Sequence, residues 1–156
     1  MKKKVLFLFL IASLGLFAQQ RQYNIIWEGT QKLFGENFSI EVPAFNKENF
    51  TYNNDTLLFV EQWESNVEVN ESSVSLSNVV YKAISKADLK DLNISNIPNK
   101  LEFSLKNSIA RDKKYTYFQL IPIVRTSNGN FKKIISFQIN YNIARYQSLT
   151  LMSIVL

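Results

Sequence analysis

Hydrophobic and polar residues alternate through residues 131–143, near the end of the chain. One side of this stretch carries Phe131, Ile135, Phe137, Ile139, Tyr141 and Ile143, with Lys133 as an exception; the other side is polar except for Ile134. A period of two predicts a strand with one buried face. The preceding run, residues 115–125, is apolar on both faces, which is typical of a strand inside a two-layer structure.

Two features shape this pair of runs. Asn128-Gly129 lies between them and predicts a tight hairpin turn, because both residues tolerate a positive φ. Pro122 falls within the first run and cannot donate a ladder hydrogen bond, so we expect a bulge there.

Weaker patterns predict the remaining elements. Strands are expected at residues 23–28, 37–42, 56–63, 72–84 and 101–109, ended by signals such as Gly29 and Pro43, while residues 65–70 continue the third of these strands or pair back on it. Ser85 is a plausible N-cap for the one helix, residues 86–92. Seven or eight strands of this kind predict an all-β fold, an antiparallel β-sandwich or barrel-like domain with one short helix.

The amino terminus predicts export. Lys2, Lys3 and Lys4 precede the apolar run 5–17, and Ala18 follows it. This order is typical of a secretory signal peptide at residues 1–18, and the run is too short to span a bilayer as a helix. The chain is therefore expected to be exported from the cytoplasm.

Charge and residue types exclude several functions. Removing three of the 18 basic residues with the signal peptide lowers the formal net charge from +5 to +2, too little to predict a nucleic-acid partner. The 156-residue chain has no His and no Cys, which excludes Cys-His and Ser-His catalysis and zinc sites built from those ligands. Its four glycines form no phosphate-binding loop, and no cofactor is expected.

The candidate binding residues lie in an irregular segment, residues 44–55. Phe45, Phe50 and Tyr52 stand there among asparagines, which predicts a loop carrying aromatic side chains. Together with Trp27 and Trp63 they could form a platform for a sugar or a peptide. Such side chains also fill sandwich cores, and the sequence leaves both interpretations open.

Charged clusters give two further candidates. Glu61, Glu64, Glu68 and Glu71 could hold a hard cation or act as an acid/base pair, or they could be the solvated positions of half-buried strands. Asp88 and Asp91 fit a solvated helix face. A basic group could bind an anionic partner or protect exposed strand edges; it comprises Arg111, Lys113, Lys114, Arg125, Lys132 and Lys133.

Several segments, taken in order, resemble a known family. They are LFAQ at 16–19, IWEGT at 26–30, VPAFN at 42–46, FVEQW at 59–63, NSIAR at 107–111, IPI at 121–123, and KKIISF at 132–137 after Gly129. This order resembles the amino-terminal region of the type IX secretion system sortases of Bacteroidota, the PorU family of gingipain-type cysteine peptidases. The likeness ends at about Arg145.

The resemblance implies an accessory domain that lies in the periplasm, at the outer membrane or on the cell surface of a Gram-negative bacterium. Family members remove the carboxy-terminal secretion signal from cargo and attach the cargo to a surface glycolipid, using a catalytic Cys and His far downstream of the matched region, so no catalytic residue carries over. The implied domain, residues 19–145, is a propeptide-like β-sandwich. The apolar residues 146–156 fit the end of a truncated or frame-shifted copy.

The expected function is therefore non-catalytic. We expect assembly or packing against a protein partner, either the downstream peptidase domain or an outer-membrane component of the type IX complex. One alternative is a free-standing periplasmic or surface module that binds glycan or protein through residues 44–55. Another is a hydrolase that uses the carboxylates of residues 61–71.

Overall fold

The computed structural model describes residues 18–35 and 39–144. These residues form ten strands: β1 Ala18–Asn24, β2 Trp27–Phe34, β3 Ser39–Phe45, β4 Phe50–Asn53, β5 Thr56–Glu64, β6 Ser75–Ile84, β7 Phe103–Ala110, β8 Lys113–Leu120, β9 Ile123–Arg125 and β10 Phe131–Asn142. Short 3₁₀ helices occupy Glu71–Ser73, Ala87–Leu89 and Ile94–Asn96. The predicted signal peptide, apart from Ala18, and the apolar tail lie outside the described residues.

The strands form three antiparallel sheets. In the first, the order is β1-β10-β6, and β9 also pairs with β10. The second has the order β4-β5-β8-β7, and β2 and β3 form a two-stranded sheet. These antiparallel sheets agree with the all-β sandwich that the sequence predicts, so the predicted fold class is confirmed.

Aromatic rings join the first two sheets. The Phe59 ring of β5 lies 5.2 Å from Phe137 of β10 and 5.7 Å from Tyr23 of β1, measured between ring centroids. Phe118 of β8 stacks on Phe137 at 5.8 Å. Phe59 and Phe118 are fully buried. Removing such rings from water is the main stabilising contribution available to a chain without Cys, which can form no disulfide.

The predicted hairpin is present, but the predicted strand before it is divided. Gly129 adopts a φ of 81° in the turn, and Phe131 pairs with Arg125. Pro122 does not form a bulge in one strand: the chain leaves β8 of the second sheet at Leu120 and enters β9 of the first sheet at Ile123. The missing N–H of proline falls where the chain changes sheets, so no ladder bond is lost.

Two bulges explain the irregular alternation of the longest strand. The β10–β6 register shifts between Ile134 and Ser136, where Ile135 is the extra residue. Ile134 is consequently fully buried although it breaks the period of two. The opposite shift lies in β6 at Asn78, with a φ of 51°. Val80, which follows this shift, is therefore exposed.

Several strand boundaries differ from the sequence predictions, and residues 65–70 form only the isolated bridge of Val69 with Ile143. The predicted strand 23–28 is divided at Ile25, whose N–H donates to the Ile135 carbonyl, and β2 continues through Gly29. β3 continues through Pro43, which an edge strand accommodates. Residues 37 and 38 of the predicted strand 37–42 lie outside the described residues.

The predicted helix of residues 86–92 is wrong in type and length. Only the 3₁₀ turn Ala87–Leu89 forms, and two further 3₁₀ turns occur in the described part of the chain. The Ser85 hydroxyl does accept the Asp88 N–H, as the N-cap prediction requires. Lys90 then adopts a φ of 55°, which ends the turn. Buried Leu89 fixes the turn against the core.

Candidate partner-binding site

The aromatic segment predicted as a loop is largely regular. β3 ends at Phe45, a short turn covers residues 47–49, and β4 pairs back on β5 from Phe50. Asn54 and Asp55 both adopt positive φ, 47° and 57°. Two left-handed residues in succession form the tight turn whose twist matches antiparallel strands, and Asn and Asp tolerate that conformation.

Phe45 belongs to the core. It is 2 % exposed, and its ring lies 5.1 Å from Trp27, 5.3 Å from Phe50 and 6.2 Å from Phe59, measured between centroids. Its side chain is thus enclosed by other aromatic rings rather than presented to a partner. Its contribution to the predicted site is to support the Phe50 ring from inside.

Phe50 and Tyr52 are half-buried on β4, which is the edge strand of the second sheet. The Tyr52 hydroxyl lies 3.4 Å from Asp55 Oδ1. Burial raises the pKa of the Tyr52 phenol, and the Asp55 carboxylate adds to the rise. Each ring is partly exposed while its buried part is held by packing. Aromatic side chains that contact a partner at an interface are commonly held in this way.

Neither tryptophan extends this surface, because Trp63 is buried in the core and half-buried Trp27 packs against the core. Trp63 is 9 % exposed, its ring lies 5.7 Å from that of Tyr141, and the Arg21 guanidinium is 4.4 Å from its centroid. The Trp27 indole N–H donates to the Ile134 carbonyl at 2.8 Å. Core filling is the interpretation that fits both residues.

Asn49 is a site residue that the sequence did not indicate. It is buried, and its Nδ2 donates to the Val60 carbonyl and to Glu61 Oε2, at 2.9 and 2.6 Å. The Val60 N–H donates to the Asn49 carbonyl. These bonds fix the turn before Phe50 to β5. An asparagine among several other asparagines gives no signal for this role.

A concavity of about 330 Å³ lies beside this turn. Its lining residues are Glu48, Asn49, Val60, Glu61, Gln62 and Tyr117. Carboxylate, amide and phenol groups therefore surround a space large enough for a small ligand.

The glutamates of residues 61–71 mostly serve structural contacts. Glu64 pairs with Lys113 at 2.9 Å, Glu68 with Lys114 at 3.2 Å, and Glu71 with Lys106 at 3.2 Å. Glu61 does not lie on the solvated face: it shares the face of buried Phe59 and Trp63, so the solvated interpretation is wrong for this residue. No group of three potential metal-binding side chains occurs within residues 18–35 and 39–144.

The two aspartates near Ser85, Asp88 and Asp91, form hydrogen bonds with nearby residues. Asp91 Oδ2 accepts the Glu41 N–H at 2.8 Å, and the Asp91 N–H donates to the Glu41 carbonyl at 2.9 Å. This reciprocal contact covers part of the outer edge of β3. The Asp88 carboxylate accepts the Ser85 hydroxyl at 2.6 Å, which lowers its pKa.

The basic residues near the hairpin are dispersed. Arg125 donates to the Ile94 carbonyl and lies over the Phe131 ring. The Lys132 ammonium is 3.9 Å from the Tyr81 centroid, and the Lys133 ammonium is 4.7 Å from that of Trp27. A single anion site formed by the whole basic group is therefore not the arrangement observed.

None of the helical segments in the described part of the chain has the length and apolar character needed to cross a membrane.

Comparison with known proteins gives limited similarity. No family model and no curated protein matches the sequence. One similar solved structure is the complex of the Porphyromonas gingivalis RgpB pro- and mature domains, with a TM-score of 0.45 and 11 % identity, covering 81 % of this chain and 79 % of that one. A TM-score this low does not establish a common fold, and the family suggested by the ordered segments stays a prediction.

Proposed function

We propose that this chain is a non-catalytic, exported β-sandwich domain equivalent to the amino-terminal region of a type IX secretion system sortase. Its role would be to pack against a protein partner, the peptidase domain or an outer-membrane component. The observation that carries the proposal is the order of the family-like segments along the sequence. Those segments supply core residues of β3, β5 and β10, among them Phe45, Phe59 and Phe137.

The proposed lack of catalysis rests on residue types. The sequence has neither His nor Cys, so a cysteine peptidase step cannot be performed by its own side chains. Three of the four glutamates that offered an acid/base alternative are engaged with lysines. Any peptidase activity in the proposed complex would come from another polypeptide segment.

The proposed contact surface is the outer edge of β4. Phe50 and Tyr52 present partly exposed rings there, and Asn49 fixes the turn before them. An interface core typically combines fixed aromatic side chains with surrounding polar groups. The polar groups at this place would come from Asp55 and the exposed asparagines of the turn.

The test is complex formation between the purified chain and the peptidase region of a type IX sortase from the same source. We expect a complex by size-exclusion chromatography with light scattering, and at least about a tenfold loss of affinity for the double variant F50A/Y52A. I109A is the matched control, because Ile109 is 67 % exposed on β7, the opposite edge of the same sheet. No complex with either the peptidase region or the outer-membrane components would refute the proposal.

A second candidate function is a free-standing module that binds glycan. The concavity next to Asn49 favours it, because Tyr117 can stack on a sugar ring while its register partner Gln62 forms hydrogen bonds with the sugar hydroxyls. Calorimetry with cell-surface oligosaccharides would then show binding that Y117A abolishes and F50A/Y52A retains. The opposite pattern supports the protein-packing function.

A further inference from the structure

A second concavity, of about 310 Å³, lies where the two-stranded sheet meets β6 and β10. It is lined by Trp27, Gly29, Thr30, Pro43, Lys82, Ala83, Ile84, Asp88 and Lys133. None of these residues belongs to the proposed contact surface on β4. Two lysines and one aspartate are the charged residues of this lining, so its net formal charge is positive.

The two lysines lie directly opposite each other. Lys133 of β10 and Lys82 of β6 are register partners, which places both side chains on the same face of the sheet. Like charges in such a pair destabilise a sheet. None of the ion pairs formed within residues 18–35 and 39–144 involves either lysine. Among the described residues, no carboxylate is in direct contact with either lysine to relieve the repulsion.

The surroundings of Lys133 favour a negatively charged ligand. Its ammonium lies 4.7 Å from the centroid of the Trp27 ring. Burial lowers the pKa of Lys133, and the neighbouring charge of Lys82 lowers it further, while Asp88 acts in the opposite direction. An anion placed between the two ammonium groups would oppose both effects, because it favours the charged form of Lys133.

The backbone at the rim of the concavity is irregular. Between Trp27 and Thr30, β2 has one more residue than β3 opposite it, and Gly29 adopts a φ of 89°. A Cβ built on Gly29 would contact nothing within 4 Å, so open space adjoins the bulge. Bulges are over-represented at sheet edges and next to active sites, and this one lies both in an edge strand and at the rim of the concavity.

We propose that this concavity binds a carboxylate group between the ammonium groups of Lys82 and Lys133. One negative charge balances the lining, because Asp88 already offsets one of the two lysines. The carboxylate can belong to a free small acid or to an acidic side chain of a polypeptide, since the recognising chemistry is the same. This inference is independent of the proposed sortase role, which concerns the edge of β4.

The test is an NMR titration of the full chain, followed at the backbone amides of Gly29 and Ala83. N-acetylglutamate amide represents the free acid, and a glutamate-rich peptide of about ten residues represents the polypeptide source. We expect saturable shifts at both amides that weaken with added salt. K82Q and K133Q should each lower the affinity about tenfold, as expected for loss of a charge-assisted contact.

Two further variants make the result decisive. K100Q, which changes an exposed lysine outside the concavity, should bind as the native chain does. D88N removes the one negative charge of the lining and should bind more tightly, so it tests the site even where a lysine variant folds poorly. Binding of the peptide alone would identify an acidic polypeptide as the ligand. Binding of both probes would show that the site accepts the carboxylate of a free small acid.

Three results would overturn the proposal. The first is an absence of shifts at Gly29 and Ala83 with either probe. The second is unchanged affinity in both K82Q and K133Q when their spectra show a folded chain. The third is tighter binding of inorganic phosphate than of either carboxylate, which would assign the site to a different anion.

Discussion

Asn107 and Val69 form a reciprocal pair of hydrogen bonds between a side chain and the backbone. The Val69 N–H donates to Asn107 Oδ1 at 3.0 Å, and Asn107 Nδ2 donates to the Val69 carbonyl at 2.8 Å. The Asn107 amide thus replaces a strand partner for the irregular chain between β5 and β6. It satisfies the N–H and the carbonyl of Val69, which is 3 % exposed.

Replacing Asn107 with alanine should destabilise the protein by about 2–3 kcal/mol, because two partly buried backbone groups would lose their partner. Urea unfolding followed by circular dichroism measures this. S108A changes the exposed neighbouring residue and should stay within about 0.5 kcal/mol of the native chain. Equal stabilities of N107A and S108A would show that water replaces the amide at no cost.

The ring of Phe59 should be the largest single contributor to packing between the sheets. It contacts the rings of Tyr23, Phe45 and Phe137. F59L keeps most of the apolar volume but loses the ring contacts, and we expect a loss of about 1–2 kcal/mol. The same unfolding measurement on V80A, at a position 47 % exposed, should show less than about 0.5 kcal/mol. A loss in F59L no larger than in V80A would contradict this assignment.

The sequence predicts the strands where pattern and turn chemistry agree. The β9–β10 hairpin follows from its alternation and from Asn128-Gly129, and the structure has it. The all-β class follows in the same way, because several half-buried strands each repeat a period of two.

The remaining errors have tertiary causes. Pro122 marks a change of sheet rather than a bulge, and that distinction depends on where other strands lie. In the sequence, the bulge at Ile135 is visible as two exceptions to the period of two, Lys133 and Ile134. These exceptions do not reveal which strand contains the extra residue. β4 was missed because four residues are too few for alternation to be visible among asparagines.

The candidate site was predictable only in part. Aromatic side chains in residues 44–55 can be read from the sequence, but not which of them is buried. Phe45 ends β3 facing Trp27 and Phe59, whereas Tyr52 lies on the edge strand, and only the pairing of β4 with β5 separates these two cases. The Lys82–Lys133 pair depends on the β10–β6 register, which the sequence does not specify.

The turn between β4 and β5 offers a stabilising substitution. Asp55 adopts a φ of 57°, where glycine has no steric penalty, and Asn-Gly is a preferred pair for this turn. D55G should raise the free energy of unfolding by up to about 1 kcal/mol, whereas D55V should lower it by about 1–2 kcal/mol. Thermal unfolding of both variants measures the difference. Similar melting temperatures for D55G and D55V would indicate that the turn is not left-handed in solution.

Glu71 should make the stability of the fold depend on acid pH. Its carboxylate accepts the Asn107 N–H at 2.7 Å, and this bond, together with that from Lys106, lowers its pKa below the ordinary value of 4.5. A lowered pKa in the folded state means that the stabilisation is complete above about pH 4.5 and is lost as the pH falls through the folded-state value.

The expected result is that E71Q narrows the difference between the unfolding midpoints at about pH 6 and about pH 3, compared with the native chain. The unfolding midpoint of E71Q should differ from that of the native chain mainly at the higher pH. At that pH the native Glu71 carboxylate is charged, and an uncharged glutamine forms a weaker contact with Asn107 and Lys106. Because the Glu71 side chain is 37 % exposed, solvent screening keeps the effect small. E102Q, at an exposed glutamate, is the control and should leave the pH dependence unchanged. If E71Q and E102Q gave the same profile, the Glu71–Asn107 contact would not be the source of the acid sensitivity.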